Sequence, residues 1–283
     1  MKFGTMSILF REQLGTDEHI GYTESLTRIK AAGFSVADLN LCQICAHKTT
    51  LHRDDWQSET EKIANTAAGL GIELAQCHLP FKSNKVKWKT PEEYSYYIDM
   101  FYRAIDVASM LQIPWAVVHP EVRSELGESE QVAANHAEFD RLVEYALSKG
   151  LGIAFENMQR GHWGKAENLV ELIDSFRDDR VGACWDTGHA NIYYQEGEQW
   201  DPLHVVGHRL HCTHIADNRG ETDLHLLPWE AHVNWPNVIA ALKDIQYSGA
   251  LILEPSVNYW SPNCLKDENG RHAYEVARPL SEL

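Results

Sequence analysis

Short apolar runs recur along the chain, each ending in a polar residue of metal-binding or acid-base type and each followed by a turn and a helix-like stretch. The runs are FSVADLN ending at Asn40, IELAQCH at His78, PWAVVH at His119, LGIAFE at Glu156, VGACWD at Asp186, RLHCTH at His214 and ALILE at Glu254. With MSILF near the N-terminus there are eight. This alternation is the signature of βα units. From one strand end to the next the steps are 38, 41, 37, 30, 28 and 40 residues, each long enough for a loop, a crossover helix and another strand. Helical spacing is clearest over 92–111 and 130–148, and Pro91 suits the first turn of the former.

Runs as apolar as WAVV and LIL suit parallel strands covered on both faces. An open doubly wound sheet would satisfy that pattern too. The count of eight favours closure, as do the polar residues at the strand ends, which in a barrel converge on one face. No linker, low-complexity segment or change of composition interrupts the pattern. Residues 1–283 therefore read as one α/β domain, a (β/α)8 barrel, for which about 250 residues is typical.

Two Glu, one Asp and one His stand at four successive strand ends: Glu156, Asp186, His214 and Glu254. Oxygen and imidazole donors around one axis can hold a divalent cation, whereas single strand-end carboxylates more often serve ion pairs at a barrel rim. His211 rivals His214, but strand alternation is expected to turn it to the opposite face. Packing alone could account for His78 and His119 at apolar strand ends. Six cysteines, at 42, 45, 77, 184, 212 and 264, are spread through the chain and read as reduced thiols. Cys42 and Cys45 form a C-x-x-C, yet no second pair at zinc-ribbon spacing accompanies them.

Composition narrows the partners. With 41 acidic against 25 basic residues the formal net charge is −16, which repels a phosphate backbone unless basic residues cluster. Hydrophobic residues make up 44% of the chain, but no run approaches the roughly 20 needed to span a bilayer, and the N-terminus lacks the longer apolar core of a secretory signal. A cytoplasmic, soluble protein is expected, without membrane or nucleic-acid partners and with self-association left open. Nucleophile elbows, P-loops and dinucleotide-binding glycine patterns are absent.

The order and strand-end placement of HLPF at 78, VVHP at 119, FEN at 155, WDTGH at 185, HIADNRG at 214, DLH at 223 and LEP at 253 resemble the xylose isomerase-like barrel superfamily. That group includes sugar isomerases and ketose 3-epimerases, with apurinic endonucleases as relatives, and the resemblance runs from about Phe34 to Ser256. It implies that Glu156, Asp186, His214 and Glu254 are metal ligands. It further suggests that His78, His119, His189, Arg219 and His225 face the substrate, with Arg160 a weaker candidate. One departure concerns the loop after DLH. Relatives continue with a proline and a G-E-G turn, whereas here the residues are Leu226, Leu227, Pro228, Trp229, Glu230 and Ala231. Without glycine the loop is expected to take another path, which leaves Asp223 and His225 less firmly placed.

Together these features predict a sugar isomerase or epimerase using a divalent cation, manganese first, with magnesium, cobalt or zinc as substitutes. Glu156 and Glu254 would move protons through a cis-enediolate of a small ketose, aldose or related polyol. A dehydratase acting on a related sugar or inosose is an alternative. Another is phosphodiester hydrolysis at abasic DNA, because His78, His119, Glu156, Asp186, His189, His214, Asp223, His225 and Glu254 match the ligand order of a three-zinc endonuclease. A barrel that binds without turnover would be expected to have lost a ligand or a catalytic Glu, and all four positions are intact.

Overall fold

The computed structural model describes residues 1–10, 20–46, 49–81, 90–123, 125–194, 200–255 and 267–283. Strands and helices follow one another as β1 (Lys2–Met6), α1 (Tyr22–Ala32), β2 (Val36–Asn40), α2 (Trp56–Leu70), β3 (Glu73–His78), α3 (Pro91–Met110), β4 (Trp115–Val118) and α4 (Glu128–Ser148). The second half continues with β5 (Gly152–Glu156), α5 (Ala166–Ser175), β6 (Val181–Asp186), α6 (Thr187–Tyr194), α7 (Asp201–Val206), β7 (Leu210–His214), α8 (Trp235–Asp244), β8 (Ala250–Leu253) and α9 (Asp267–Ala277). All strand ladders are parallel, and each strand lies beside its sequence neighbour, with β8 against β1. At the seam between β7 and β8, Ile215 N–H donates to the Ile252 carbonyl at 2.7 Å, and the Ile215 carbonyl accepts from Glu254 N–H at 3.0 Å. Thr213 adds a hydroxyl bond to the Ala250 carbonyl at 2.8 Å. Eight parallel strands thus form the predicted (β/α)8 barrel.

Alternation along the strands sorts the side chains. Phe155 on β5 points toward the helical layer, where it meets Phe139 of α4 and Phe176 just beyond α5. Its neighbour Ala154 joins Val117, Cys184 and Cys212 in a small cluster inside the barrel, and Met6, Val36, Ala250 and Ile252 form a second one. Small and medium side chains are what the narrow interior of an eight-stranded barrel accommodates. The helices are closed locally: Thr90 and Glu93 form a reciprocal capping box at the start of α3, with Pro91 in its first turn.

Two expectations require correction. The N-terminal strand is Lys2–Met6 and not the apolar run MSILF, of which only Met6 lies in the strand. Beyond Met6 the chain turns, Leu9 N–H donating to the Met6 carbonyl at 3.1 Å, and Leu9 and Phe10 are buried in the main core outside the strand ladder. Apolar character recorded burial, but the ladder with β8 set the strand. The second correction concerns His211. A register shift against β6 places an extra residue in β7, which breaks the alternation. His211 stacks on Trp115, ring centroids 3.8 Å apart, and Trp115 packs against the interior cluster around Val117 and Cys184. It therefore lines the interior at the N-terminal end of the barrel, away from His214.

Gly4 on β1 shows how little room the interior leaves. A Cβ there would lie 2.6 Å from the Val36 carbonyl oxygen and 2.8 Å from Ile252 Cδ1. Gly4→Ala is expected to destabilise the barrel by about 1–3 kcal/mol through overpacking, measured by urea denaturation. An unchanged midpoint and slope would show that β1 moves aside without cost.

Candidate metal centre

Strand ends β5 to β8 bring four donors together. Each of Glu156, Asp186, His214 and Glu254 offers a ligand atom within 4.8 Å of the others. His214 Nδ1 lies 3.0 Å from Glu156 Oε1 and 3.2 Å from Glu254 Oε2. The imidazole is fully buried, whereas the Glu254 side chain retains 18% exposure at the mouth. The cluster is thus closed below and open above, at the C-terminal face where barrel loops build sites.

Asn157, next to Glu156, fixes the spacing of two ligands. Its side-chain oxygen accepts from Asp186 N–H at 2.6 Å and its amide donates to the Asp186 carbonyl at 3.1 Å, so β5 and β6 are clamped at their ends. The Asn157 carbonyl also accepts from His189 Nδ1 at 2.8 Å, and His189 N–H donates to Asp186 Oδ1 at 2.5 Å. Below His214 lies Asp38, fully buried on β2, with Oδ2 3.5 Å from His214 Nε2. Strand-end inspection singled out Asn40 on β2 and passed over Asp38. Period two was the available signal, since Asp38 and Asn40 share a strand face.

The other sequence candidates gather around this cluster. His78 Nε2 and His119 Nε2 lie 3.1 Å apart, and 3.4 Å and 3.1 Å respectively from Glu156 Oε2. Phe81 stands over the His119 ring at 4.4 Å, half open at the mouth. Cys42 also belongs here, its Sγ 3.1 Å from His78 Nδ1; Cys42, Cys45, Cys77, Cys184 and Cys212 are free thiols, and Cys264 lies outside the described residues. On the other side Asp223 Oδ2 joins His189 Nε2 at 3.2 Å to His225 Nε2 at 2.9 Å. Arg219 is exposed on the loop after β7, and Arg160, also exposed, donates to the Glu221 carbonyl at 2.9 Å.

The glycine-free loop keeps a left-handed backbone nonetheless: φ is 74° at Trp229 and 47° at His225. Such a conformation costs a residue with a Cβ about 1–3 kcal/mol, so the surroundings must impose it. Asp217 does so. Its buried carboxylate accepts from Val233 N–H at 3.0 Å, Ala231 N–H at 3.2 Å and Trp235 Nε1 at 3.2 Å. His225 is further tied by its Nδ1 to the Glu254 carbonyl at 3.1 Å. The I-x-D motif therefore marks a loop anchor.

Whether a cation suits the four donors can be judged from the strain they carry alone. Asp186 Oδ2 is buried with no hydrogen-bond partner among the described residues. Burial pushes the Asp186 carboxyl up to about 7; His189 opposes this, and the charges of Glu156, Asp223 and Glu254 add to it. Burial lowers the basicity of His214, but Cys184, Glu254 and Glu156 outweigh it, leaving the imidazole well above its ordinary range. For Glu156 burial is outweighed by His214 and His119, which hold the carboxyl well below the usual range. Among the described residues no Lys or Arg pairs with the three carboxylates. A divalent cation would supply the missing positive charge, and a set of oxygens with one imidazole is chemically suited to it.

Residues 26–276 match the family model described as xylose isomerase-like TIM barrel. The chain belongs to that family. Among proteins similar to this xylose isomerase-like barrel is an uncharacterized protein of Methanocaldococcus jannaschii, 33% identical over 53% of the chain and 54% of the relative. The match thus spans about half of that relative's length. A D-psicose 3-epimerase of Enterocloster bolteae is 21% identical over 91% of the chain and 83% of that protein. The crystal structure of a D-tagatose 3-epimerase-like protein superposes with a TM-score of 0.75 at 22% identity, covering 100% of this chain and 97% of that one, a likeness of fold.

The raised basicity of His214 bears on how a cation would be taken up by these four donors. With His214 as a ligand, an ion would compete with a proton for Nδ1, the nitrogen that faces Glu156 and Glu254. Apparent affinity for divalent cations is expected to strengthen as pH rises through neutrality, with protons released. Calorimetric titration in buffers of different ionisation enthalpy measures both, and a pH-independent affinity with no proton release would exclude His214 as a ligand.

Proposed function

We propose that this chain is a divalent-metal-dependent sugar isomerase or epimerase acting on a small ketose, aldose or related polyol. The observation that carries the reading is the convergence of two glutamates, Glu156 from β5 and Glu254 from β8, on one imidazole nitrogen at 3.0 and 3.2 Å. Their strands stand three apart in the ring, so the carboxylates approach a substrate on the barrel axis from different sides. The epimerase names carried by similar proteins support the same chemistry. In this reading Glu156, Asp186, His214 and Glu254 hold one cation, manganese before magnesium, cobalt or zinc, because three carboxylates and an imidazole make a largely hard donor set. A bound divalent cation would polarise a carbonyl and acidify the hydrogen on the adjacent carbon.

One glutamate removes that proton, and the other returns it from the opposite side, inverting the carbon. Delivery to the neighbouring carbon gives aldose–ketose interconversion instead. Depression of the Glu156 carboxyl by His214 and His119 keeps it ionised and able to accept a proton. In this reading His78, His119, His189, His225 and the rim residue Arg219 hold substrate hydroxyls. Glu156→Gln and Glu254→Gln should each lower turnover by about 10²- to 10⁴-fold with the cation still bound. Activity on a ketose and aldose panel in deuterated solvent, with metal analysis of the same samples, tests this. Near wild-type epimerisation by either metal-loaded variant would eliminate the two-carboxylate mechanism.

A second reading rests on the two further groups around the cluster. His78 and His119 on Glu156 Oε2, and His189 and His225 on Asp223, complete the donor order that resembles a three-zinc apurinic endonuclease. The formal charge of −16 opposes it, since a protein that grips phosphates does so with Lys and Arg. We expect no retardation of duplex DNA at physiological salt and no cleavage of an abasic-site oligonucleotide. Three zincs per chain together with chelator-sensitive cleavage would replace the isomerase reading by the nuclease one.

A further inference from the structure

Asp38 lies inside the barrel beneath the four donors, fully buried. A buried carboxylate is costly unless other groups satisfy it, and this one is held on one side only. Oδ2 accepts from Gln76 Nε2 at 2.8 Å and lies 3.5 Å from His214 Nε2, while Oδ1 has no hydrogen-bond partner among the described residues. Gln76 donates through the same amide nitrogen to the Thr213 carbonyl at 3.3 Å, one residue before His214. The carboxylate is thereby tied through β3 to the strand that carries the imidazole.

His214 has one nitrogen on each side of this arrangement. Nδ1 faces Glu156 and Glu254, and Nε2 faces Asp38. An imidazole binds a metal ion through a bare nitrogen, and the tautomer is set by what the other nitrogen donates to. A hydrogen bond from Nε2–H to Asp38 leaves the Nδ1 lone pair directed at the carboxylate cluster. Without such an acceptor the neutral ring could equally place its proton on Nδ1, toward Glu156 and Glu254, where it would block the ligating position.

We propose that Asp38 is a positioning residue of the cation site: its buried carboxylate, steadied by Gln76, accepts from His214 Nε2–H and fixes the tautomer that presents Nδ1 to the ion. The inference rests on the four-donor reading above and adds a fourth acidic group that never touches the ion. It also accounts for a charged residue within an otherwise mostly apolar interior layer.

The test compares wild-type protein with Asp38→Asn and Asp38→Ala, each stripped of metal and titrated calorimetrically with Mn2+ and with Zn2+. Loss of the acceptor in Asp38→Ala should weaken binding about 10- to 100-fold, a common consequence of removing the partner of a ligating histidine. Asp38→Asn, whose amide oxygen can still accept from Nε2–H, should fall between Asp38→Ala and wild type. Nitrogen-15 spectra of the metal-free proteins, at a pH where His214 is neutral, should show its proton on Nε2 in wild type and in Asp38→Asn, and a shift toward Nδ1 in Asp38→Ala. A carboxylate that merely supports the fold would shift the urea midpoint and leave affinity and tautomer alone, and that result overturns the proposal. If Asp38→Ala does not fold, Asp38→Asn decides, and wild-type affinity in it counts against the charge. A wild-type protein that binds neither ion would reject the four-donor reading itself, whereas wild-type binding with unchanged variants rejects only the role of Asp38.

Discussion

Four carboxylates, those of Asp38, Glu156, Asp186 and Glu254, crowd a single buried imidazole, and much of the barrel's C-terminal face is organised around holding them there. In a poorly solvated interior like charges repel strongly, and a flexible chain would separate them. Strands hydrogen-bonded on both sides cannot. Burial and the crowded charges therefore appear as altered proton affinity: Asp186 is pushed up to about 7, chiefly by burial, and the surrounding negative groups hold His214 well above its ordinary range. A divalent cation held there would relieve an electrostatic cost already set by the fold.

Residues that never reach the cluster govern its geometry. Asn157 joins the ends of β5 and β6 through two hydrogen bonds to the Asp186 backbone and steers His189 with its own carbonyl. Asp217 gathers the N–H groups of Val233 and Ala231 together with the indole of Trp235, and so holds the loop in which Trp229 adopts φ 74° without being glycine. A turn that glycine makes freely is imposed here by a buried acceptor. Function at the mouth thus rests on hydrogen bonds made behind it.

The two enzyme readings share nearly all of their donors. Glu156 explains why, because its Oε1 faces His214 while its Oε2 faces His78 and His119, so one carboxylate can belong to a single centre or join two. Donor identity alone does not separate sugar chemistry from phosphate chemistry. The overall charge carries the distinction we draw in proposing sugar chemistry, because a strongly acidic chain repels a polyanion.

The repeated apolar runs determined seven of the eight strands, their parallel order and the polar residues at their ends, because a strand covered on both faces is mostly apolar along its length. The same logic failed where burial and strand pairing part company. Leu9 and Phe10 are apolar because they enter the core outside the ladder, and His211 faces the interior because a bulge adds a residue that simple alternation does not count. Asp38, Asn157, Asp217 and the Cys42 thiol beside His78 were visible as letters but not as roles, since each acts on a partner far away in the chain or through the backbone. Local sequence sets the period of a strand and the chemistry at its tip. Only closure of the barrel sets β2 beside β3, and both across from β7, and that closure decides which nitrogen of His214 meets Asp38 and which meets the glutamates.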